Sequence, residues 1–219
     1  MHEICVARIS LWLVLSSFLL PVAYCQQVPK TMMKISTHLV EAASAGKSFA
    51  SEPKTLWRAG TRYARIAEVP DPQNHIHGLM IISEPDAWMV NLFDKSGRHM
   101  VDSGPTFDVH VPIFEMPDEA KTKLDELEFG SELEFFTKNE AKPSAGEPIS
   151  GRATQRYDAV VSGQRVSLWV DAKSKKPVRV SLVRGGENQT IEYLSYEDDL
   201  PFDASLFRPP AGVAIQESK

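Results

Sequence analysis

Residues 165–196, RVSLWVDAKSKKPVRVSLVRGGENQTIEYLSY, constrain the fold more than any other stretch of the chain. Val166, Leu168 and Val170 alternate with Ser167, Trp169 and Asp171, the period of two that a strand shows when one face is buried. A lysine-rich turn over 172–176 follows. Pro177, tolerated at the first position of a strand, then opens a run in which Val178, Val180 and Leu182 share a face. Gly185-Gly186, with Glu187 and Asn188 beside it, supplies the positive φ angles of a tight hairpin. Residues 190–196 run back with Ile191 and Tyr193 on the apolar parity. The segment reads as an antiparallel meander with one apolar face, and a chain built around it must cover that face.

A length of 219 residues is enough for one domain with a substantial core. Hydrophobic and charged fractions of 42% and 24% are globular values. A net charge of -5 leaves no electrostatic footprint for nucleic acid, which excludes it as an expected partner. Residues 1–25 stand apart. Arg8 precedes an uninterrupted apolar or small run over 9–20, and Ala23 and Cys25 offer small residues at the two positions a signal peptidase reads. The apolar run is shorter than the roughly 20 residues of a membrane span. The division expected is a signal peptide over 1–25 and a single domain over 26–219, working in the periplasm or secreted. Both cysteines, Cys5 and Cys25, fall in the leader, so the mature chain carries no thiol. The alternative is lipidation of Cys25, because Val22-Ala23 resembles the start of a bacterial lipobox, although Tyr24 stands where a small residue belongs.

The spacing after Pro29 predicts an amphipathic amino-terminal helix, with Met32, Ile35, Leu39 and Ala42 or Ala43 on one stripe and Gly46 closing it. Residues 55–69 read as one long strand, ended by Pro70-Asp71-Pro72. Strands over 75–83 and 87–94 join through Glu84-Pro85-Asp86, and 98–102 follows; Trp88, Val90 and Leu92 share a face. Residues 106–114 alternate less cleanly and read as a further strand. Pro117 opens a second helix with Asp118 and Glu119 in its first turn, Ala120, Leu124 and Leu127 as its apolar stripe and Gly130 as its cap. A short strand over 132–137, an exposed loop over 138–150 and a strand over 151–162 complete the reading. The sum is about ten strands and two helices, a mainly β, α+β architecture around an antiparallel sheet.

Motifs of catalysis are missing: there is no glycine-rich phosphate loop and no nucleophile elbow. His75-x-His77 is the best metal candidate, since an extended backbone points both imidazoles to one side. His99, His110 or Asp102 would have to complete it and no spacing fixes any of them, so no metal and no cofactor is assigned. Asp102 with Asp108, and the acidic run over 197–199, read as solvated turns rather than acid–base pairs. Asn188-Gln189-Thr190 matches a glycosylation sequon. The apolar parity of the strands remains, and it leaves two readings open. Either the sheet fills its interior with its own side chains, or it encloses a cavity of lipid size.

Leu168-Trp169-Val170-Asp171, Pro177-Val178-Arg179, the strand over 193–196 and the ending Leu206-Phe207-Arg208-Pro209-Pro210-Ala211-Gly212-Val213 together resemble the carboxy-terminal half of the LolA/LolB-like superfamily. These are periplasmic lipoprotein carriers and lipoprotein-sorting proteins. The order of signal peptide, helix, long strand, hairpins, interrupting helix and final meander is also similar to theirs. The resemblance implies an antiparallel unclosed β half-barrel covered by an amino-terminal helix and an interrupting helix. Its concave wall would be formed by Trp88, Val90, Leu92, Val166, Leu168, Val170, Val178, Val180, Leu182, Ile191 and Tyr193, and its lid by Met32, Ile35, Leu39, Leu124 and Leu127. It further implies a non-enzymatic monomer without cofactor that holds lipid or lipoprotein acyl chains and can meet other envelope proteins. The alternative it carries is an envelope protein-interaction or stress-sensor module with the same fold and no lipid cargo. Family members also use an arginine to latch the lid; Arg58, Arg62 and Arg65 share one predicted strand, and none is assigned that role.

Overall fold

The computed structural model of the chain describes residues 28–41, 52–114 and 123–218. The expected leader with both cysteines, and the expected helix positions Ala42, Ala43, Gly46, Pro117 and Ala120, lie outside the described residues. Among the described residues, twelve strands form one sheet: β1 (Thr31–Leu39), β2 (Lys54–Ala59), β3 (Tyr63–Glu68), β4 (Gly78–Ser83), β5 (Asp86–Asn91), β6 (Ser96–Val101), β7 (Ser144–Ile149), β8 (Arg152–Val161), β9 (Gln164–Asp171), β10 (Pro177–Arg184), β11 (Glu187–Pro201) and β12 (Ala214–Glu217). Their order across the sheet is β12-β6-β5-β4-β3-β2-β1-β11-β10-β9-β8-β7, so the sheet is unclosed and ends on β12 and β7. All neighbours are antiparallel except β12, which runs parallel to β6. One α-helix whose whole span is described, α1 (Glu132–Lys138), interrupts the strand sequence, and Val40 and Glu41 are helical at the end of the first described segment. None of the described helices is long and apolar enough to cross a membrane.

The meander appears where its pattern placed it. Val180 pairs with Leu168 and Ile191, and Leu182 with Val166. Gly185 and Gly186 hold φ of 59° and 86° at the hairpin tip, a conformation that any other pair of residues would adopt at a penalty. The acidic end of the β9–β10 turn is built by Asp171, whose carboxylate accepts from the amides of Lys173 and Ser174. Val178 departs from its expected face. A bulge sets Pro177 opposite Val170 and Arg179 opposite Trp169, and Val178 packs with Ile149 and Trp169 instead of with Val180.

Several expectations are corrected. The stretch bearing Met32, Ile35 and Leu39 is a strand, not a helix: β1 lies between β11 and β2 and joins two meanders. Its β-branched Thr31, Ile35 and Thr37 suit a strand, and bulges near Met33 and between Ser36 and Thr37 blur the alternation that would have announced it. The expected long strand over 55–69 is a hairpin of β2 and β3, turned at Gly60 with φ 55°. Residues 132–137, read as a strand, form α1, which buries Phe135 and Phe136. The expected loop over 138–150 contains β7, an edge strand whose polar composition hid it. Residues 106–114, read as a strand, are irregular, with one bridge from Pro112 to Glu128 in place of a strand partner.

The sheet has two apolar faces, each covered over a different half. The inner face carries a plug made of the chain over 105–114 and 123–138, and the main core lies beneath it. The outer face of β2–β6 is covered by the carboxy-terminal segment, with Phe207 fully buried between Tyr63 and Phe202.

β12 is fastened to this half through His99, whose two ring nitrogens meet Glu217 at 2.6 Å and Asp86 at 2.8 Å while the ring stacks on Trp88. Hydrogen bonds to Glu217 and then Asp86 hold the imidazole protonated above its ordinary range. The folded protein therefore keeps a proton that the unfolded chain releases, and this contribution to stability is complete below about pH 6.5 and is lost as pH rises through the raised value. His99→Gln is expected to flatten the urea midpoint between about pH 6 and about pH 8; an unchanged slope would assign the titration elsewhere.

Candidate functional site

The inner face is built by alternate residues of nearly every strand. Ile35 from β1, Leu56 from β2, Ala64 from β3, Ala159 and Val161 from β8, Val166, Leu168 and Val170 from β9, Val180 and Leu182 from β10, and Tyr193 from β11 form one buried cluster. Leu39 and Ile191 pair at its margin and are half-buried. The occupant of this face is protein. Val109, Val111, Ile113 and Phe114, then Leu124 and Leu127, then Phe135 and Phe136 of α1 lie against it, and Leu168, Val180 and Leu182 reach 0% exposure. Each such side chain contributes about 1.5–3 kcal/mol by leaving water, so the plug is a large share of the core.

The predicted residues thus divide. Val166, Leu168, Val170, Val180, Leu182, Ile191 and Tyr193 share the inner face. Trp88, Val90 and Leu92 sit on the outer face with Leu79, Ile81 and Phe207, and Val178 lies apart. Of the predicted lid residues, Leu124 and Leu127 are on the plug, in and just after a single 3-10 turn at Lys123–Glu126. Ile35 and Leu39 belong to the sheet itself, and Met32 packs into the outer core.

The plug is tied to the sheet by groups that the sequence did not single out. Arg58, on the inner parity of β2 with Leu56, donates from Nη1 to the Phe129 carbonyl at 2.8 Å and from Nη2 to the Val109 carbonyl at 3.2 Å. The same guanidinium pairs with Glu128 at 2.7 Å, both side chains being largely buried, and Glu128 in turn meets His110 Nδ1. One arginine therefore grips both arms of the plug. Arg62 instead donates to the Glu84 carbonyl beside Phe107, and Arg65 sits on the outer face, donating to the Leu206 carbonyl. The Val109 amide adds a bond to the Thr61 carbonyl. Gly130, with φ 94°, lies so close to Met33 that a Cβ there would fall 2.6 Å from the sulfur, which brings this turn onto β1.

On the buried side of the plug is Glu132, the first residue of α1, 1% exposed, whose Oε1 accepts from the Tyr193 hydroxyl at 2.8 Å and from the Gly130 amide at 3.0 Å. Burial pushes its carboxyl above the usual range, and the two donors and the Arg58 charge oppose that rise without cancelling it. Tyr193 is pushed up as well, by burial first and by the Glu132 charge second. With the folded carboxyl raised, the native state binds a proton that the unfolded chain has lost. Stability from this group is greatest below the ordinary carboxylate range and falls as pH rises through the raised value. Glu132→Gln is expected to remove that fall, with amide exchange of α1 across about pH 5 to about pH 8 as the readout. Equal pH slopes in variant and wild type would reject it.

An open cleft of about 600 Å³ lies on the plug's own surface, between His110, Glu128, Glu134, Phe135 and Lys138. None of the predicted wall residues lines it. His75 and His77 flank the ring of Phe93, at centroid distances of 6.0 and 6.2 Å. No group of three His, Cys, Asp or Glu side chains among the described residues is arranged to hold a metal ion.

No protein-family model matches the chain, and no curated protein matches it either. Solved structures with a similar chain course include an uncharacterized conserved protein from Thermus thermophilus, at a TM-score of 0.49 and 8% identity over 87% of this chain and 91% of that one. MucB in complex with MucA(peri) aligns at a TM-score of 0.33 and 8% identity, over 83% of this chain and 55% of that one. A LolA superfamily protein, NE2245 from Nitrosomonas europaea, aligns at a TM-score of 0.28 and 10% identity, over 84% and 91% of the two chains. These are likenesses of chain course at 8–10% identity.

Proposed function

We propose that the protein is a non-enzymatic periplasmic carrier of lipid or lipoprotein acyl chains, which take the place of the plug on the inner face of the sheet. The observation that carries this reading is an extended apolar sheet face covered by a separate run of chain whose two arms are held by one arginine. Acyl chains and the plug's Val, Leu and Phe side chains gain nearly the same free energy per unit of apolar area removed from water, about 25 cal/mol per Å². Exchange between them is then close to balanced, and uptake and release follow from whichever ligand or partner favours one state. The motif residues 168–171 and 206–213 that resemble the LolA/LolB-like superfamily support the same reading.

Native mass spectrometry of untagged protein produced with its full leader tests the proposal. A bound species with the mass of an acyl lipid is expected, and the same spectrum reports processing at Cys25. If solvent extraction yields no lipid and fluorescent fatty acids do not bind, the carrier reading is wrong. The completeness of the packing under the plug favours a second reading, an envelope protein-interaction module with a filled interior. One stoichiometric envelope protein co-purifying without lipid would establish that reading in its place.

A further inference from the structure

The plug does not cover the inner face along its whole width. It seats over β8–β11, β1 and β2 and reaches Ala64, Ile66 and Ile82. Beyond it, Met80 on β4, Met89 on β5 and Met100 on β6 are 37%, 56% and 37% exposed. Their parity is inner, because Leu79, Ile81 and Val90 beside them in sequence belong to the outer core. The register places these side chains in two adjacent rows, Ile66–Met80–Met89–Arg98 and Ala64–Ile82–Ala87–Met100. Laterally paired side chains on one face of a sheet stand about 5 Å apart. The result is an apolar strip continuous with the plug's seat and ending at Arg98. That arginine is exposed and has no ion-pair partner among the described residues.

We propose that this strip holds one single-chain amphiphile with an anionic headgroup, its tail running from the plug's edge at Ile66 over Met80 and Met89 and its headgroup on Arg98, while the plug stays seated. The dimensions select this occupant. Two rows across four strands give roughly 200 Å² from the spacings of a sheet, whereas a specific protein interface takes about 800 Å² from each partner. A single hydrocarbon tail is of the right width. Methionine, unbranched and polarizable, moulds to such a tail without a fixed complementary shape. A guanidinium at the end of the row offers the paired donors that a carboxylate or phosphate accepts. The inference rests on the lipid-binding reading for the class of ligand, but it needs no displacement of the plug.

The test uses full-length mature protein titrated with cis-parinaric acid, a fluorescent long-chain carboxylate, and with its neutral methyl ester. The substitutions in the strip are at exposed positions, so folding is retained and is verified by circular dichroism. Met80→Ser with Met89→Ser is expected to weaken both ligands about tenfold or more through lost apolar contact. Arg98→Gln is expected to weaken the acid about tenfold and leave the ester unchanged. Arg58→Ala, which releases the plug, separates this site from the seat beneath it. Binding sensitive to the strip and indifferent to Arg58 supports the strip and rejects plug displacement. Binding indifferent to Met80, Met89 and Arg98 but increased by Arg58→Ala overturns the strip and leaves the carrier reading standing. No binding of either ligand to any form overturns both. If sedimentation shows a dimer that Met80→Ser with Met89→Ser dissociates, the strip is a contact between copies and the inference fails.

Discussion

Replacing Arg58 with alanine is expected to destabilise the protein by about 3–5 kcal/mol, the range found when one partner of a buried ion pair is removed. Glu128 would be left as a buried carboxylate with only the exposed His110 beside it, and the carbonyls of Val109 and Phe129 would each lose a charged donor. The loss should be concentrated in the plug. A dye that reports exposed apolar surface should therefore bind the variant at urea concentrations too low to unfold the sheet. Adding Glu128→Gln should restore part of the stability, because much of the penalty is the stranded charge. A variant with wild-type dye binding and an unchanged urea midpoint would show that the guanidinium does not hold the plug.

The second large effect comes from comparing cavities on the two sides of the same interface. Phe136→Ala on α1 is expected to cost about 3–5 kcal/mol and Leu168→Ala on β9 about 2–5 kcal/mol, since both side chains are 0% exposed. They should nevertheless differ in kind. If the plug opens as a unit, Phe136→Ala lowers the protection of amides in 123–138 while β9 and β10 exchange as before, and Leu168→Ala lowers protection throughout. Uniform loss in both variants would make plug and sheet one cooperative unit, and the exchange of acyl chains for plug would lose its physical basis. Polar residues at Leu168 or Val180 are unsuitable probes of ligand binding, because these positions are core and their replacement unfolds the sheet before it affects a ligand.

How far the sequence was legible follows from which signals are local. Val166, Leu168 and Val170, Val180 and Leu182, and the Gly185-Gly186 turn encode strand and hairpin within a few residues, and all of them were readable. Val178 was not, because the bulge that turns it away is a property of the pair Arg179 and Trp169 across two strands. β1 was misread because Met32, Ile35 and Leu39 fit a helical stripe, while Thr37 interrupts the alternation of Met33, Ile35 and Leu39. The run ELEFFTK is too short for periodicity to separate helix from strand, and only its docking onto the sheet makes it α1. β7 carries no apolar alternation at all. The role of Arg58 was hidden by reading β2 and β3 as one strand: without the turn at Gly60, nothing distinguishes it from Arg62. That the strands carry an apolar parity is visible in the sequence, but which apolar residues share a face of the sheet is decided only by topology.

The position of β1 has a consequence for the order in which this protein can be made. Its partners are β2, which follows soon after in the chain, and β11, which pairs Tyr196 with Ile35 and Pro201 with Thr31. A chain growing or crossing a membrane from its amino terminus therefore presents β1 with one side unpaired until nearly all its residues have emerged. The β2–β6 hairpins form from neighbouring residues, whereas the seam between the two meanders waits on a contact spanning most of the sequence, the kind that folds slowly. Until β11 arrives, Ile35 and the rest of the inner face stay open along that edge, which makes the unfinished chain a client for whatever shields apolar strands while they wait for a partner.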